Sequence, residues 1–338
     1  MNTALRWLWF CALVSAMVAG TLSVHATGNN IPFSRLSLEE GLAQATVNAI
    51  EQDRDGFLWF GTQAGLNRYD GYRFTLYLND PKDPDSLSGS DISVLLEDGA
   101  GYLWVGTKEG GLNRFDPATG RLQHFWYDPA DPATLSEDQI RTIHEDASGR
   151  IWIGTYGGGL NRFDAETETF TPFRHSASDP NSLSDDRVRA IAEDRDGILW
   201  IGTDGGGLNR FDPDTGRFSQ YRGDPGAPTS LSDDRIRTVF VDSEDRVWLG
   251  TNSGGLNRLD RESGNFVRFR HRPGDLRSLN SDLVYAILED SKGELWIGTD
   301  KGLAAWQPAS ETFRRYRHDP ANRKSLSDDR VISLFQDR

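Results

Sequence analysis

Residues 191–211 read Ile191-Ala192-Glu193-Asp194-Arg195-Asp196-Gly197-Ile198-Leu199-Trp200-Ile201-Gly202-Thr203-Asp204-Gly205-Gly206-Gly207-Leu208-Asn209-Arg210-Phe211. Turn-forming residues cut this stretch into short runs. The run around Trp200 is apolar, β-branched and aromatic, which suits a pleated, half-buried strand. The turn Gly205-Gly206-Gly207 separates it from Leu208-Asn209-Arg210-Phe211-Asp212. Upstream, Val188-Arg189-Ala190-Ile191-Ala192-Glu193 is another apolar run that ends in acid. Downstream, Asp214-Thr215-Gly216 reads as a turn and residues 218–221 as an aromatic strand. A long polar loop with Asp-Pro and Ser-Leu-Ser-Asp-Asp closes the unit, so four short strands occupy about 48 residues.

The same order recurs. Trp59, Trp104, Trp152, Trp200, Trp248 and Trp296 each sit in apolar-Trp-apolar-Gly-Thr, with a first step of 45 residues and four steps of 48. A four-stranded unit of that length is the mark of a propeller blade. A helical repeat fails, because glycine recurs every few residues and is costly inside helices. A flat solenoid is the weaker alternative. The expected fold is all-β: a β-propeller of four-stranded blades over residues 27–338, with six complete repeats. Residues 32–38 resemble a fourth strand without its first three, and residues 331–338 a first strand without the rest. Together they predict a split seventh blade. One further 48-residue step from Trp296 passes Arg338, so the ring is expected to be incomplete at its C-terminal end and the chain to be the start of a longer protein.

The chain has 338 residues, a net charge of −14 and an isoelectric point near 4.9. Such an acidic balance argues against nucleic acid as a partner, since phosphate neutralisation needs clustered Lys and Arg. Residues 1–26 stand apart. Arg6 is the one charged side chain there, an apolar stretch runs from Trp7 to about Gly20, and Val24-His25-Ala26 offers a cleavage site. This reads as a secretory signal peptide, with an uncleaved anchor as the alternative. The single cysteine, Cys11, lies inside it, so no disulfide framework and no cysteine-based zinc site is expected. No second apolar run is long enough to span a membrane.

The order Ile-x-Glu-Asp, Gly-x-Leu-Trp-Ile-Gly-Thr and Gly-Leu-Asn-Arg-Phe, nearly unbroken from Ile191 to Phe211, resembles the two-component regulator propeller repeat, with variants in all six units. The resemblance covers about residues 31–338. It implies a periplasmic sensor ring of a membrane-bound signalling protein, followed in the parent chain by a β-sandwich, a transmembrane helix and a cytoplasmic histidine kinase or diguanylate cyclase. It implies no enzymatic role for this segment, whose sequence has no kinase or cyclase motif. The sixth unit departs, with Gly302-Leu303-Ala304-Ala305-Trp306 where others read Gly-Leu-Asn-Arg, and a surface difference in its second hairpin is expected.

Several repeated residues invite sharper readings, against which a structural role weighs more, with weak ion binding by another geometry left open. The Trp series is expected to fill the space between blades rather than to stack on sugar. The glycine clusters lack the Gly-Lys-Ser/Thr of a phosphate loop. Asp53-Arg54-Asp55-Gly56 and Asp194-Arg195-Asp196-Gly197 resemble part of a calcium loop, but the glycine falls fourth rather than sixth and the twelfth residue from Asp53 is Ala64, so a hairpin turn is expected. The pairs Asn67-Arg68, Asn113-Arg114, Asn161-Arg162, Asn209-Arg210 and Asn257-Arg258 repeat too regularly for a ligand site and read as structural hydrogen-bonding groups. The six histidines show no metal-ligand spacing. No catalytic residue, metal or cofactor is expected.

In a propeller the innermost strands line a channel, and the loops entering them form one face with the second-to-third-strand turns. Ligands favour that face, where concavity and variation coincide. The second residue of each innermost strand varies: Asn48, Ser93, Arg141, Arg189, Arg237 and Tyr285. Three successive arginines at the channel mouth suit carboxylate or sulfate recognition or stacking on sugar rings. The bland alternative pairs each arginine with the preceding Asp185-Asp186 or Asp233-Asp234 loop. The hairpin tips Gln63, Lys108, Tyr156, Asp204, Asn252 and Asp300 are further candidates, Tyr156 foremost.

The leading functional expectation is therefore a sensor that binds a small molecule or oligosaccharide, an anionic one suiting the arginines, and signals to output domains in the parent chain. Export to the periplasm and an inner-membrane anchored parent go with it; a dimeric parent is left open. A secreted propeller enzyme acting on polysaccharide, with Tyr156 and Tyr285 as its nameable candidates, and an envelope protein-interaction platform are the alternatives.

Overall fold

The computed structural model describes residues 31–338, of which Phe33–Arg338 form one unit. The expected signal segment, 1–26, lies outside the described residues. The unit is built from six antiparallel four-stranded sheets, each pairing its strands in simple sequence order, set in a ring. They span residues 47–77, 92–125, 140–173, 188–221, 236–269 and 284–316, and are blades 1 to 6 below. The first strands, Val47–Gln52, Ile92–Glu97, Ile140–Glu145, Val188–Glu193, Ile236–Val241 and Val284–Glu289, are innermost. A single short 3-10 turn, Leu38–Glu40, precedes blade 1 and is capped by Ser37 and Glu40 in reciprocal hydrogen bonds.

The six tryptophans of the repeat lie on the second strands, and the first five face the next blade. Trp59 meets Phe115 at 5.6 Å, Trp104 meets Phe163 at 5.1 Å, Trp152 meets Phe211 at 5.4 Å and Trp248 meets Trp306 at 5.9 Å between ring centroids. Trp200 packs in the same way on Leu259. At about 25 cal/mol per Å² over roughly 150–250 Å², each ring contributes about 4–6 kcal/mol of transfer free energy, an upper estimate. The polar edge of the ring is satisfied as well. In all six blades the indole N–H donates to the aspartate six residues earlier, Asp53, Asp98, Asp146, Asp194, Asp242 or Asp290, at 2.7–3.0 Å. The other oxygen of the same carboxylate accepts two backbone N–H groups of the first hairpin turn, as at Ser148 and Arg150. The calcium-like Asp-x-Asp-Gly pattern is thus a hairpin turn whose leading aspartate is committed to tryptophan.

Two further repeated devices lock neighbours together. The hairpin glycines Gly65, Gly111, Gly159, Gly207, Gly255 and Gly302 adopt φ of 77–113°, a region costly for other residues. Each donates its N–H to a carbonyl in the loop that enters the next blade, from Ser90 through Asp138, Asp186, Asp234 and Asp282 to Asp329. The repeated asparagines also turn out structural. Asn113, Asn161, Asn209 and Asn257 are buried and accept from the N–H of Ser88, Ser136, Ser184 and Ser232 in the loop before their own blade.

The sixth blade differs inside rather than on its surface. Ala304, Ala305 and Trp306 are all buried. Ala304 occupies the place of Asn209, while Asn280 occupies the place of Ser184 and donates back to the carbonyls of Lys301 and Leu303. The amide has moved from strand to loop.

The expected seventh blade is present as two segments, and neither joins a sheet. Residues 331–338 lie between the first strands of blades 6 and 1. Val331 donates to Thr299 O at 2.9 Å, Ser333 Oγ donates to Val47 O at 3.1 Å, and Arg338 N–H donates to Gln52 Oε1 at 2.9 Å. Residues 32–38, expected as a strand, touch blade 6 through Phe33, whose N–H donates to Lys324 O and whose ring meets Tyr316 edge-on at 5.8 Å. A strand needs a continuous ladder partner, and among the described residues no second or third strand stands between these two pieces. Among the described residues no blade follows Trp296, which is half-buried, whereas the five other tryptophans of the repeat are 0–2% exposed.

Candidate functional site

Every first strand starts with a register shift. The pairing skips one residue between Val47 and Ala49, Ile92 and Val94, Ile140 and Thr142, Val188 and Ala190, Ile236 and Thr238, and Val284 and Ala286. The skipped residues are Asn48, Ser93, Arg141, Arg189, Arg237 and Tyr285. A bulge leaves its residue unpaired and re-aims the side chain. All six line one cavity of about 190 Å³ at the channel mouth, joined by Lys108 and Ile332. Ile332 belongs to residues 331–338 and holds the corresponding position in the seventh wedge.

Several lining residues are held by the hairpin tip of the same blade, 15 residues further on. Tyr156 is not a lining residue; it stands behind two of them. The guanidinium of Arg141 lies 4.8 Å from the Tyr156 ring centroid and that of Arg189 lies 5.0 Å from it. Arg189 also donates to Asp204 Oδ2 at 2.7 Å. Arg237 donates twice to Asn252 Oδ1, at 2.6 and 2.9 Å, and its guanidinium sits 5.4 Å from the Tyr285 ring. Lys108 pairs with Asp91 at 2.8 Å. Asn48 donates to the other oxygen of Asp91 at 3.2 Å and to Ile92 O at 2.7 Å. Ser93 Oγ lies 2.7 Å from Ile140 O and 3.0 Å from Gly106 O, which occupies it within the wall.

The alternative pairing of the channel arginines with the Ser-Asp-Asp loops is not what the side chains do. Asp185 holds Arg187 at 2.7 Å and Asp233 holds Arg235 at 3.4 Å. Asp186 and Asp234 accept backbone N–H groups from His175 and Gly223. The partners of the channel residues were visible in the sequence as variable hairpin tips, but nothing in the pattern linked residue i with i+15. Lys108 was among those tips. Ile332 follows Ser-Asp-Asp-Arg-Val as Arg237 follows Ser-Asp-Asp-Arg-Ile, which is the signal that places it.

The electrostatics follow from burial and proximity. Burial, and then the charge of Arg189, lower the pKa of Arg141 from its ordinary value, and the same two causes in the same order lower that of Arg237. Burial alone would raise the Asp204 carboxyl, but the hydrogen bond and charge of Arg189 outweigh it and hold the pKa below the usual carboxylate range. Arg141 makes no ion pair or hydrogen bond among the described residues, and its Nε is buried without an acceptor. The mouth is therefore a concave cationic surface in an acidic protein.

The comparisons with known proteins agree with the ring and its repeats. The model of the two-component regulator propeller repeat matches residues 41–64, 86–109, 134–157, 182–205, 230–253 and 278–301. A histidine kinase named P4 from Formosa agariphila is 43% identical over 67 residues, which are 20% of this chain and 5% of the kinase. The extracellular domain assigned to a hybrid two-component system of B. thetaiotaomicron superposes with a TM-score of 0.78 at 26% identity, covering 91% of this chain and 39% of that one. Virginiamycin B lyase from Staphylococcus aureus shares the fold, with a TM-score of 0.61 at 16% identity over 82% of this chain and 86% of the lyase. The chain thus spans well under half the length of the two-component relatives it matches. Among the described residues no helix is long and apolar enough to cross a membrane.

Proposed function

From a chain that carries six two-component regulator propeller repeats, we propose a ligand-sensing ring of a membrane-bound signalling protein, whose ligand binds at the channel mouth. The observation that carries this reading is the convergence of six bulged residues, Asn48, Ser93, Arg141, Arg189, Arg237 and Tyr285, on one cavity. The residues that repeat in every blade hold the ring together; these positions take four residue types, Asn, Ser, Arg and Tyr, around the ring, as a site for one asymmetric ligand requires.

The ligand is an oligosaccharide or small molecule bearing an anionic group. Guanidinium forks match such groups, and the stacked tyrosines offer flat faces beside them. Binding biases an output domain beyond this chain, a histidine kinase or a diguanylate cyclase, with the ring on the periplasmic side and the parent anchored in the inner membrane. The relatives support this placement, because one is an extracellular domain of a two-component system and another is a histidine kinase. The ring itself is assigned binding and no chemistry.

A calorimetric screen of charged and neutral saccharides against this chain tests the reading. Binding of a charged saccharide that weakens with added salt is expected. Turnover of any saccharide by the chain, or binding only to neutral ones, would contradict it.

A further inference from the structure

The charges at the mouth do not cancel. Four cations line the cavity: Lys108, Arg141, Arg189 and Arg237. Lys108 is neutralised by Asp91 and Arg189 by Asp204. Arg141 rests on the uncharged Tyr156, and Arg237 on the uncharged Asn252 and Tyr285. Arg330, whose guanidinium lies 5.9 Å from the Tyr285 ring, does not line the cavity, and neither does the hairpin-tip Asp300. Two positive charges are left over, one on each side of the neutralised Arg189. The cavity, at about 190 Å³, adjoins a second of about 300 Å³ in the channel that shares Asn48, Arg189, Arg237, Tyr285 and Ile332, and the surplus charge sits at the outer one.

From this surplus we infer that the mouth binds a tetrahedral oxyanion carrying two negative charges, a sulfate ion or a phosphate group, held between Arg141 and Arg237. The inference rests on the mouth being the binding site, and it adds the ligand's charge and shape. A planar monoanion such as a carboxylate satisfies one of the two unneutralised arginines and leaves the other buried without a counter-charge, which is unfavourable. A tetrahedral dianion presents oxygens to both. The oxyanion can arrive as the free ion or as the terminal group of a phosphorylated saccharide.

The test is titration of the chain with sodium sulfate, sodium phosphate, glucose 6-phosphate and sodium acetate at matched ionic strength. Sulfate and phosphate are expected to bind at least about tenfold more tightly than acetate, the size of one lost charge-assisted hydrogen-bonded pair. Tighter binding of glucose 6-phosphate than of phosphate identifies an ester as the source; equal binding identifies the free ion. Lowering the pH to about 5, below the second phosphate pKa near 6, is expected to weaken glucose 6-phosphate and to spare sulfate. Arg141→Gln and Arg237→Gln are each expected to lose about tenfold, whereas Asp204→Asn, which frees a third cation, is expected to tighten sulfate several-fold. A gain of affinity is not produced by a damaged fold. Acetate binding as tightly as sulfate, or Asp204→Asn binding sulfate no better than the native chain, would overturn the inference. Saccharide binding at this mouth that sulfate does not compete with would remove the oxyanion and leave the sensor. Oxyanion binding without any saccharide binding would do the reverse.

Discussion

Asp146 shows how much one side chain carries in this architecture. Its Oδ2 accepts the buried Trp152 indole N–H and the Arg150 guanidinium, while Oδ1 accepts two backbone N–H groups of the hairpin. Asp146→Ala orphans a buried indole donor, a loss of about 1–3 kcal/mol before the turn is counted. Urea unfolding is expected to show at least that loss, with Asp214→Ala, which removes only the exposed partner of Arg150, within about 0.5 kcal/mol of the native chain. Glu51 presents the opposite case. It pairs opposite Trp59, where the other blades place Leu96, His144, Ala192, Phe240 and Leu288. Burial, reinforced by the charge of Glu97, pushes its pKa up to about 7. The folded state therefore holds this proton more tightly than the unfolded chain. Its contribution is complete below the unfolded pKa and is lost as pH rises toward about 7. Glu51→Gln is expected to remain as stable at pH 7.5 as at pH 5 relative to the native chain's decline, so the stability difference between the two grows with pH. A constant difference across that range would contradict the assignment.

At the scale of the strand and hairpin, most of the fold was legible. Trp spacing, glycine turns and the apolar runs predict all six sheets, because each device is local and repeated. The variable second position of the first strand also pointed to the channel. The bulge that aims it did not show, since a skipped register leaves no mark in composition. The acid partners were misplaced for a related reason: Asp185 is nearer to Arg189 in sequence than Asp204 is, but the hairpin brings position i+15 alongside. Why the second strand needs glycine is likewise a contact between elements. A Cβ on Gly154 would lie 2.5 Å from Val188 Cγ1 of the next blade and 2.6 Å from Thr142 Cγ2. Gly154→Ala is expected to cost about 1–3 kcal/mol by overpacking. Val188→Ala in the same chain should recover part of that loss, giving a favourable coupling in a double-mutant cycle measured by urea unfolding. Strict additivity of the two changes would show that they do not meet.

On the scale of the whole molecule, the ring separates two kinds of residue. Those that repeat, the Trp–Asp pairs, the hairpin glycines and the buried asparagines, bind blade to blade and make the scaffold rigid. Those that vary gather at one end of the channel, where six bulges and Ile332 bring seven positions to a single cavity. Residues 331–338 add Ile332 to that lining. A scaffold with one variable, cationic mouth is suited to recognising a ligand. The most direct check is a crystal structure of the chain with a bound anionic saccharide. The account predicts the anionic group at the mouth, within hydrogen-bonding reach of Arg141 and Arg237. A ligand seated instead on the outer strands or at the opposite end of the channel would contradict it.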